Sequence, residues 1–351
     1  MDRKTKRGLV FFVIILIATV LFAAEFRQPG NNEGMETLAE NLDTPWAIDF
    51  LPDGRMIFTE RPGSVSVWDK GKLAAAGKIN VSEVSESGLL GIAVDPEFEE
   101  NGFVYVYYTH ELGNRVSRFI LDEKSMKLTN EFILLDNIPN ARFHDGGRMK
   151  FGPDGKLYIT TGDATVPSSA QDTGSLAGKI LRMNKDGTVP EDNPFGNYVY
   201  SYGHRNPQGL VWNPANGMLY ASEHGPSAND EMNIIEKGGN YGWPISECDV
   251  VSDKFINVVR CYSEFTLAPS GIAFYKNELY AAGLRGTQLR RIVFGDDHRT
   301  ILREEEFISN LGRIRDVVGH DGYLYIATSN RDGRGIPKIG DDRIVRIKMA
   351  G

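Results

Sequence analysis

Six times along this chain an apolar run enters a tight turn and a second apolar run leaves it. The turns centre on Gly54, Gly102, Gly155, Gly217, Asn277 and Gly322. The runs that leave them read Arg-Met-Ile-Phe-Thr, Phe-Val-Tyr-Val-Tyr, Lys-Leu-Tyr-Ile-Thr, Met-Leu-Tyr-Ala-Ser, Glu-Leu-Tyr-Ala-Ala and Tyr-Leu-Tyr-Ile-Ala. Successive turns lie roughly 45 to 62 residues apart, in or near the spacing of propeller blades. An all-β sandwich or a two-domain protein has no reason to repeat one hairpin in this way. The expected fold is all-β: a six-bladed β-propeller with four-stranded antiparallel blades.

The inner strands are readable. First strands are expected near Trp46–Phe50, Leu90–Val94, Arg148–Phe151, Gly209–Trp212, Gly271–Phe274 and Arg315–Val318. Pro-Asp-Gly turns at 52–54 and 153–155 and the Asn213-to-Gly217 turn mark hairpins. Third strands are expected over Ser64–Trp68, Arg115–Leu121, Lys179–Met183, Gln288–Phe294 and Arg343–Met349. The segment Glu36–Leu42 is placed as the outermost strand of the last blade. Pairing it with the C-terminal strand closes the ring and removes a free sheet edge.

Residues 1–33 form a separate unit. Arg3, Lys4, Lys6 and Arg7 precede an unbroken apolar run from Leu9 to Ala24, the pattern of an export signal. Ala23 and Ala24 suit a cleavage site, whereas Phe22 is bulky where a small residue is preferred. The segment is either a cleaved signal peptide or an uncleaved membrane anchor over residues 9–24, followed by a polar linker. The chain is thus expected to be exported, as a periplasmic, extracellular or cell-surface protein. Residues 34–351 form the propeller domain. Of the two cysteines, Cys248 and Cys261, an oxidising compartment allows a disulfide, and two free thiols are equally compatible with the spacing. A net charge of −8 without long single-sign runs argues against nucleic acid as a partner.

The hairpins also locate a site. In an antiparallel pair, the start of the first strand and the end of the second lie at the same end. That end collects Glu86, His144 with Asp145, His204-Arg205-Asn206, Thr266, Arg313 and Arg315 from before the first strands. After the second strands it collects Asp163, Glu223 with His224, Arg285, and Asn330 with Arg331. His144 and Asp163 flank one hairpin, so the carboxylate can fix the imidazole tautomer and make His144 a general base. Arg205, Arg285, Arg313 and Arg315 converge from three blades, which suits an anion carrying several carboxylates or phosphates. Gly225-Pro226 beside Asp230-Glu231 reads as a loop offering oxygens to a hard cation such as calcium. No P-loop, Rossmann glycine fingerprint, EF-hand, nucleophile elbow or HExxH is present.

At these residues the chain resembles the soluble pyrroloquinoline-quinone (PQQ)-dependent sugar dehydrogenases, and most nearly the aldose sugar dehydrogenase branch of the glucose/sorbosone dehydrogenase family. The segments that carry the resemblance are Glu86-Ser-Gly-Leu-Leu-Gly91, His144-Asp-Gly-Gly-Arg148, Thr161-Gly-Asp163, Tyr202-Gly-His-Arg-Asn-Pro-Gln-Gly209, Ser222-Glu-His-Gly-Pro226, Asp230-Glu231, Gly239-Asn-Tyr-Gly-Trp-Pro244, Ala268-Pro-Ser-Gly271 and Arg313-Ile-Arg-Asp316. They span roughly Leu38 to Met349. The resemblance implies a six-bladed propeller that oxidises aldose sugars at the anomeric carbon to the lactone, passing hydride to PQQ and electrons to an external acceptor. It implies His144 as the base, Asp163 as its orienting carboxylate and Arg205 as the group that polarises the quinone oxygen. Glu86, Asn206, Asp230, Thr266, Arg285, Arg313 and Arg315 match further cofactor-site positions. Gly225 and Pro226 match carbonyl ligands of a Ca²⁺ that bridges protein and quinone. Glu231 and Tyr241 match a second, structural Ca²⁺ site.

Three positions depart from the soluble glucose dehydrogenases: Glu86 and His224 replace Gln, and Arg285 replaces Lys. With short loops between the blades, these differences point to a shallow sugar site of broad aldose specificity. Two other readings compete: a propeller binding module without cofactor, and a calcium-dependent lactonase. Retention of the full constellation argues against the first, and the Arg-rich rim against the second.

Overall fold

The computed structural model describes residues 34–349 apart from 249 and 252; the export or anchor segment therefore lies outside the described residues. The first described strand, β1 (Met35–Ala39), belongs to the last blade. Blade 1 holds β2 (Pro45–Phe50), β3 (Met56–Glu60), β4 (Ser64–Asp69) and β5 (Lys72–Lys78). Blade 2 holds β6 (Leu89–Val94), β7 (Phe103–His110), β8 (Gly113–Asp122) and β9 (Lys127–Ile138). Blade 3 holds β10 (Met149–Phe151), β11 (Leu157–Thr161), β12 (Lys179–Met183) and β13 (Val199–Tyr202). Blade 4 holds β14 (Pro207–Trp212), β15 (Leu219–Glu223), β16 (Asp230–Ile235) and β17 (Arg260–Tyr262). Blade 5 holds β18 (Pro269–Tyr275), β19 (Glu278–Gly283), β20 (Gln288–Phe294) and β21 (Ile301–Ile308). Blade 6 holds β22 (Ile314–His320), β23 (Tyr323–Thr328) and β24 (Ile344–Lys348), with β1 outermost.

All six sheets are four-stranded, and every pairing within them is antiparallel. Met35 pairs with Ile347 and Thr37 with Val345, so the ring closes through strands from the two ends of the described chain. The innermost strands β2, β6, β10, β14, β18 and β22 neighbour one another in turn, and β22 returns to β2. This is a six-bladed propeller. Each of the six expected turn residues has positive φ, from 62° at Asn277 to 86° at Gly54; Gly102 does so as the C-cap of a short helical turn, Phe98–Asn101, between β6 and β7.

The second strands carry the core. Tyr105, Tyr107, Tyr220, Tyr280 and Phe58 are almost wholly buried between sheets. Tyr158 of blade 3 packs edge-on against Trp212 of blade 4 with ring centroids 5.1 Å apart. Burying each such side chain contributes on the order of 2 kcal/mol. A buried ion pair crosses the axis, beside a cavity of ≈ 110 Å³ lined by all six innermost strands. Arg148 Nη1 meets Asp316 Oδ2 at 3.0 Å, and the Arg148 guanidinium lies 4.4 Å from the Trp46 ring centre.

One expectation requires correction, and one open alternative is settled. Asp230 and Glu231 are not in a loop: they are the first residues of β16, where Glu231 pairs with Glu223 and Cys261. Two carboxylates at a strand start disguise the apolar Met232-Asn-Ile-Ile that follows. Cys248 and Cys261 form a disulfide, with Cα atoms 5.5 Å apart. Among the described residues no helix is long and apolar enough to cross a membrane.

Candidate active site

His144 sits between Glu86 of the segment before β6 and Asp163 just after β11. Its backbone adopts φ 65°, an unusual value for a non-glycine residue. The chain accepts this because the neighbouring segment comes very close. A Cβ on Gly162 would lie 1.9 Å from the His144 carbonyl oxygen, so only glycine permits the approach. That contact brings the ring to the carboxylate: His144 Nδ1 lies 2.7 Å from Asp163 Oδ1.

Asp163 is fully buried and well supplied with donors. Thr165 N donates to Oδ1 at 2.8 Å, and Trp243 Nε1 donates to Oδ2 at 2.9 Å. Burial pushes its carboxyl up, but His144, Trp243 and Thr165 together outweigh burial and hold it below the usual aspartate range. An ionised Asp163 accepts the Nδ1 proton, which leaves Nε2 of His144 with the lone pair.

Trp243 is a site residue with no role legible in the sequence. Gln171 holds its loop, donating from Nε2 to the Trp243 carbonyl at 2.7 Å. The Arg205 guanidinium stands 5.5 Å from its ring centre. Arg205 Nη1 also donates to the His224 carbonyl at 3.0 Å, and the Asp163 amide donates to the Arg205 carbonyl at 2.8 Å. Burial lowers the Arg205 guanidinium despite nearby carboxylates.

The arginines divide. Arg313 and Arg315 are buried beside one another on blade 6. Asp332 Oδ2 accepts from Arg313 Nε at 2.9 Å and Nη2 at 2.7 Å, and stands 3.9 Å from Arg315 Nη2. Arg315 Nη1 donates to Gln208 Oε1 at 2.7 Å, while its Nε is shielded from solvent without a partner. Burial and the neighbouring Arg313 push Arg315 down to about 9, still charged at neutral pH. Arg285 is exposed and forms no hydrogen bond or ion pair among the described residues. The structure thus buries Arg313 and Arg315, leaves Arg205 half-buried beside Trp243, and leaves Arg285 exposed.

Other residues of this face hold the scaffold. Asp230 accepts from the amides of Gly225 at 3.0 Å, Leu267 at 2.8 Å and Ala268 at 2.8 Å, binding together the loops that carry Pro226 and Thr266. Thr266 Oγ1 donates to the Ser227 carbonyl at 2.6 Å. Asn206 Oδ1 accepts from the Gly146 amide at 3.1 Å. His204 is buried between Ser201 Oγ and Glu223 Oε2, both at 2.9 Å. Glu231 is pushed well above the usual carboxylate range by burial and by Glu223, Asp230 and Glu247, and its Oε2 accepts from Asn233 at 2.8 Å. Tyr241 donates its hydroxyl proton to the Ile234 carbonyl at 2.6 Å and stacks on His204. Glu231 and Tyr241 share the lining of a cavity of ≈ 100 Å³. Among the described residues no group of three or more His, Cys, Asp or Glu side chains gathers as a metal site.

His224 is the least satisfied polar group here. Its Nε2 is shielded from solvent and has no partner. Burial, with Arg315, Arg205 and His144 nearby, pushes it down to about 3 although Glu86 pulls the other way. The ring is therefore neutral at physiological pH. This rim combines one neutral imidazole, one His–Asp pair and three guanidinium groups. Such a site can take a proton from a hydroxyl and hold a flat anion with several acceptor oxygens.

Comparison with known proteins agrees. Residues 42–339 match the family model described as Glucose / Sorbosone dehydrogenase. The aldose sugar dehydrogenase YliI of Escherichia coli is 31% identical over 363 residues, covering 92% of this chain and 96% of that protein. Quinoprotein glucose dehydrogenase B of Acinetobacter calcoaceticus is 34% identical over 252 residues, covering 61% of this chain and 52% of that protein. The PQQ-bound aldose sugar dehydrogenase of Streptomyces coelicolor superposes with a TM-score of 0.85 at 39% identity, covering 89% of this chain and 96% of that structure. A family-model match over residues 42–339, with a relative 31% identical across 92% of this chain, means that this chain belongs to the glucose/sorbosone dehydrogenase family.

Proposed function

We propose that the protein is a PQQ-dependent aldose sugar dehydrogenase that oxidises the anomeric carbon to the lactone. The observation that carries this reading is the His144–Asp163 pair at 2.7 Å beside buried arginines. With Nδ1 donating to Asp163, His144 Nε2 is the free base that removes the proton of the anomeric hydroxyl. The bound quinone supplies the hydride acceptor. Arg205, anchored between Trp243 and the His224 carbonyl, offers positive charge where negative charge develops. Arg313 and Arg315 hold carboxylates, with the buried Asn206, Thr266 and, from the solvent side, Arg285 as further cofactor-site residues.

The donor set fits the cofactor. Arg315 Nε and His224 Nε2 are shielded polar atoms with no protein partner, as groups awaiting a polar ligand would be. For calcium, the Gly225 and Pro226 carbonyls would bind the ion beside the quinone. A second ion near Glu231 and Tyr241 would relieve the crowding of Glu223, Glu231 and Glu247. Residues 1–33 act as the export signal or anchor, so that the enzyme meets its sugar and an external electron acceptor outside the cytoplasm.

The test is reconstitution of purified protein with PQQ and Ca²⁺, followed by aldose-dependent reduction of an artificial dye across several mono- and disaccharides. Turnover of several aldoses supports the reading. No quinone uptake and no dye reduction would remove it, and strict preference for one hexose would remove the broad specificity.

A further inference from the structure

Glu86 is a carboxylate placed within a basic site that must accept an anion, and its surroundings show how it is accommodated. Its Oε2 accepts from the His144 amide at 3.1 Å, and Asn206 Nδ2 approaches the same oxygen at 3.5 Å. Its Oε1 accepts from Arg334 Nη1 at 2.9 Å, across 248 positions of sequence. Arg334 lies in the loop between β23 and β24, and its guanidinium also stands 5.3 Å from the ring centre of Phe143, the residue before His144. The same loop carries Asp332, which accepts from the Arg334 amide at 2.9 Å and binds Arg313 through its other oxygen. One strap from blade 6 therefore holds a cofactor-side arginine and caps the carboxylate that supports the base.

We propose that Glu86 is a positioning residue for His144 and that Arg334 is its dedicated counter-charge, which keeps Glu86 from repelling the anionic cofactor. The proposal rests on the PQQ reading above. Glu86 fixes the backbone of a base held at φ 65°. Left unpaired, the carboxylate would face the same anion that Arg205 and Arg315 attract. Arg334 is about half exposed, its side chain 47% accessible, so its effect on binding is screened and moderate.

The experiment is titration of apo protein with PQQ, followed by absorbance, for wild type, Arg334→Gln, Arg334→Lys and the double variant Glu86→Gln/Arg334→Gln. Arg334→Gln should weaken binding by about ten-fold, as one uncompensated charge near an anion in a partly screened site would. Arg334→Lys keeps the charge and should bind like wild type. The double variant removes both charges and should recover most of the loss. A double variant as weak as Arg334→Gln, or an Arg334→Gln that binds like wild type, overturns the proposal. Should the wild type itself take up no quinone, the functional reading fails instead. The pair is then judged in the apo protein by hydrogen exchange at the His144 amide. Arg334→Gln speeds that exchange if the strap holds Glu86 in place, and an unchanged rate overturns the pairing.

Discussion

Trp243 Nε1 donates to Asp163 Oδ2 at 2.9 Å, while the other oxygen of the same carboxylate takes the Nδ1 proton of His144. The tautomer of the base is thus set by a chain of three residues from two different blades. Replacing Trp243 with Phe removes one donor to a buried ion, worth roughly 1.5–3 kcal/mol. The turnover number should fall by about ten-fold or more, with quinone binding nearly unchanged. A pH series adds a second readout. The Asp163 carboxyl is held below its ordinary value, so its stabilisation is present above the unfolded value and is lost as pH falls through the folded one. The melting-temperature gap between wild type and Trp243→Phe should therefore be wide at pH 7 and narrow in acid.

Asp163→Asn keeps the size of the side chain and loses the charge. The amide can present its nitrogen to Nδ1 and turn the ring into the wrong tautomer. A loss of about two to four orders of magnitude in turnover is expected, the usual weight of general-base catalysis. Steady-state kinetics on the reconstituted variant decide it, and a turnover number within a few-fold of wild type would contradict the orienting role.

Asp145, next to His144 in sequence, predicts a pH effect of opposite sign. Burial raises its carboxyl to about 6, despite hydrogen bonds from Asn114, Ser87 and Ala141. Because the folded value lies above the roughly 3.9 of a free aspartate, stability is highest below that value and declines until pH passes 6. The total is on the order of 3 kcal/mol. Denaturant melts at pH 4.5 and 7.5 should show this decline in wild type and a flatter profile in Asp145→Asn.

The Cys248–Cys261 bridge closes a separation of 13 residues between the loop after β16 and β17. A loop of about this size contributes roughly 3 kcal/mol in the chain-entropy account. Cys248→Ser/Cys261→Ser should lower stability by up to that amount while leaving turnover close to wild type, since neither sulfur touches His144 or the buried arginines. A large drop in turnover at unchanged stability would show that this loop reaches the reaction.

What could be read from sequence follows from how each part is specified. Inner strands announce themselves because both faces are buried, as in Met-Ile-Phe-Thr of β3 and Leu-Tyr-Ile-Thr-Thr of β11. Outer strands do not: β9 and β21 carry exposed Lys127, Thr129, Asn130, Leu302 and Arg303, and the latter strand reads as a charged Arg-Glu-Glu-Glu run. His144 and Asp163 were legible because they flank one hairpin, whose geometry the repeat dictates. Trp243, Asp332 and Arg334 were not, because they come from loops whose path over the rim no periodicity specifies. The Asp332-Gly-Arg334 run directly after Asn330-Arg331 was the available signal, lying just beyond the end of the second strand of blade 6. Arg285 shows the converse: its position after a second strand placed it at the rim, but not within the buried site.

The central claim is that His144 removes the proton while other residues hold the cofactor. Single-turnover reduction of protein-bound PQQ by an aldose, in wild type and His144→Ala loaded to equal occupancy, tests it most directly. The account predicts equal quinone binding and a rate in His144→Ala lower by about two to four orders of magnitude. Equal rates in the two proteins, or no aldose-dependent reduction in the wild type, would contradict it.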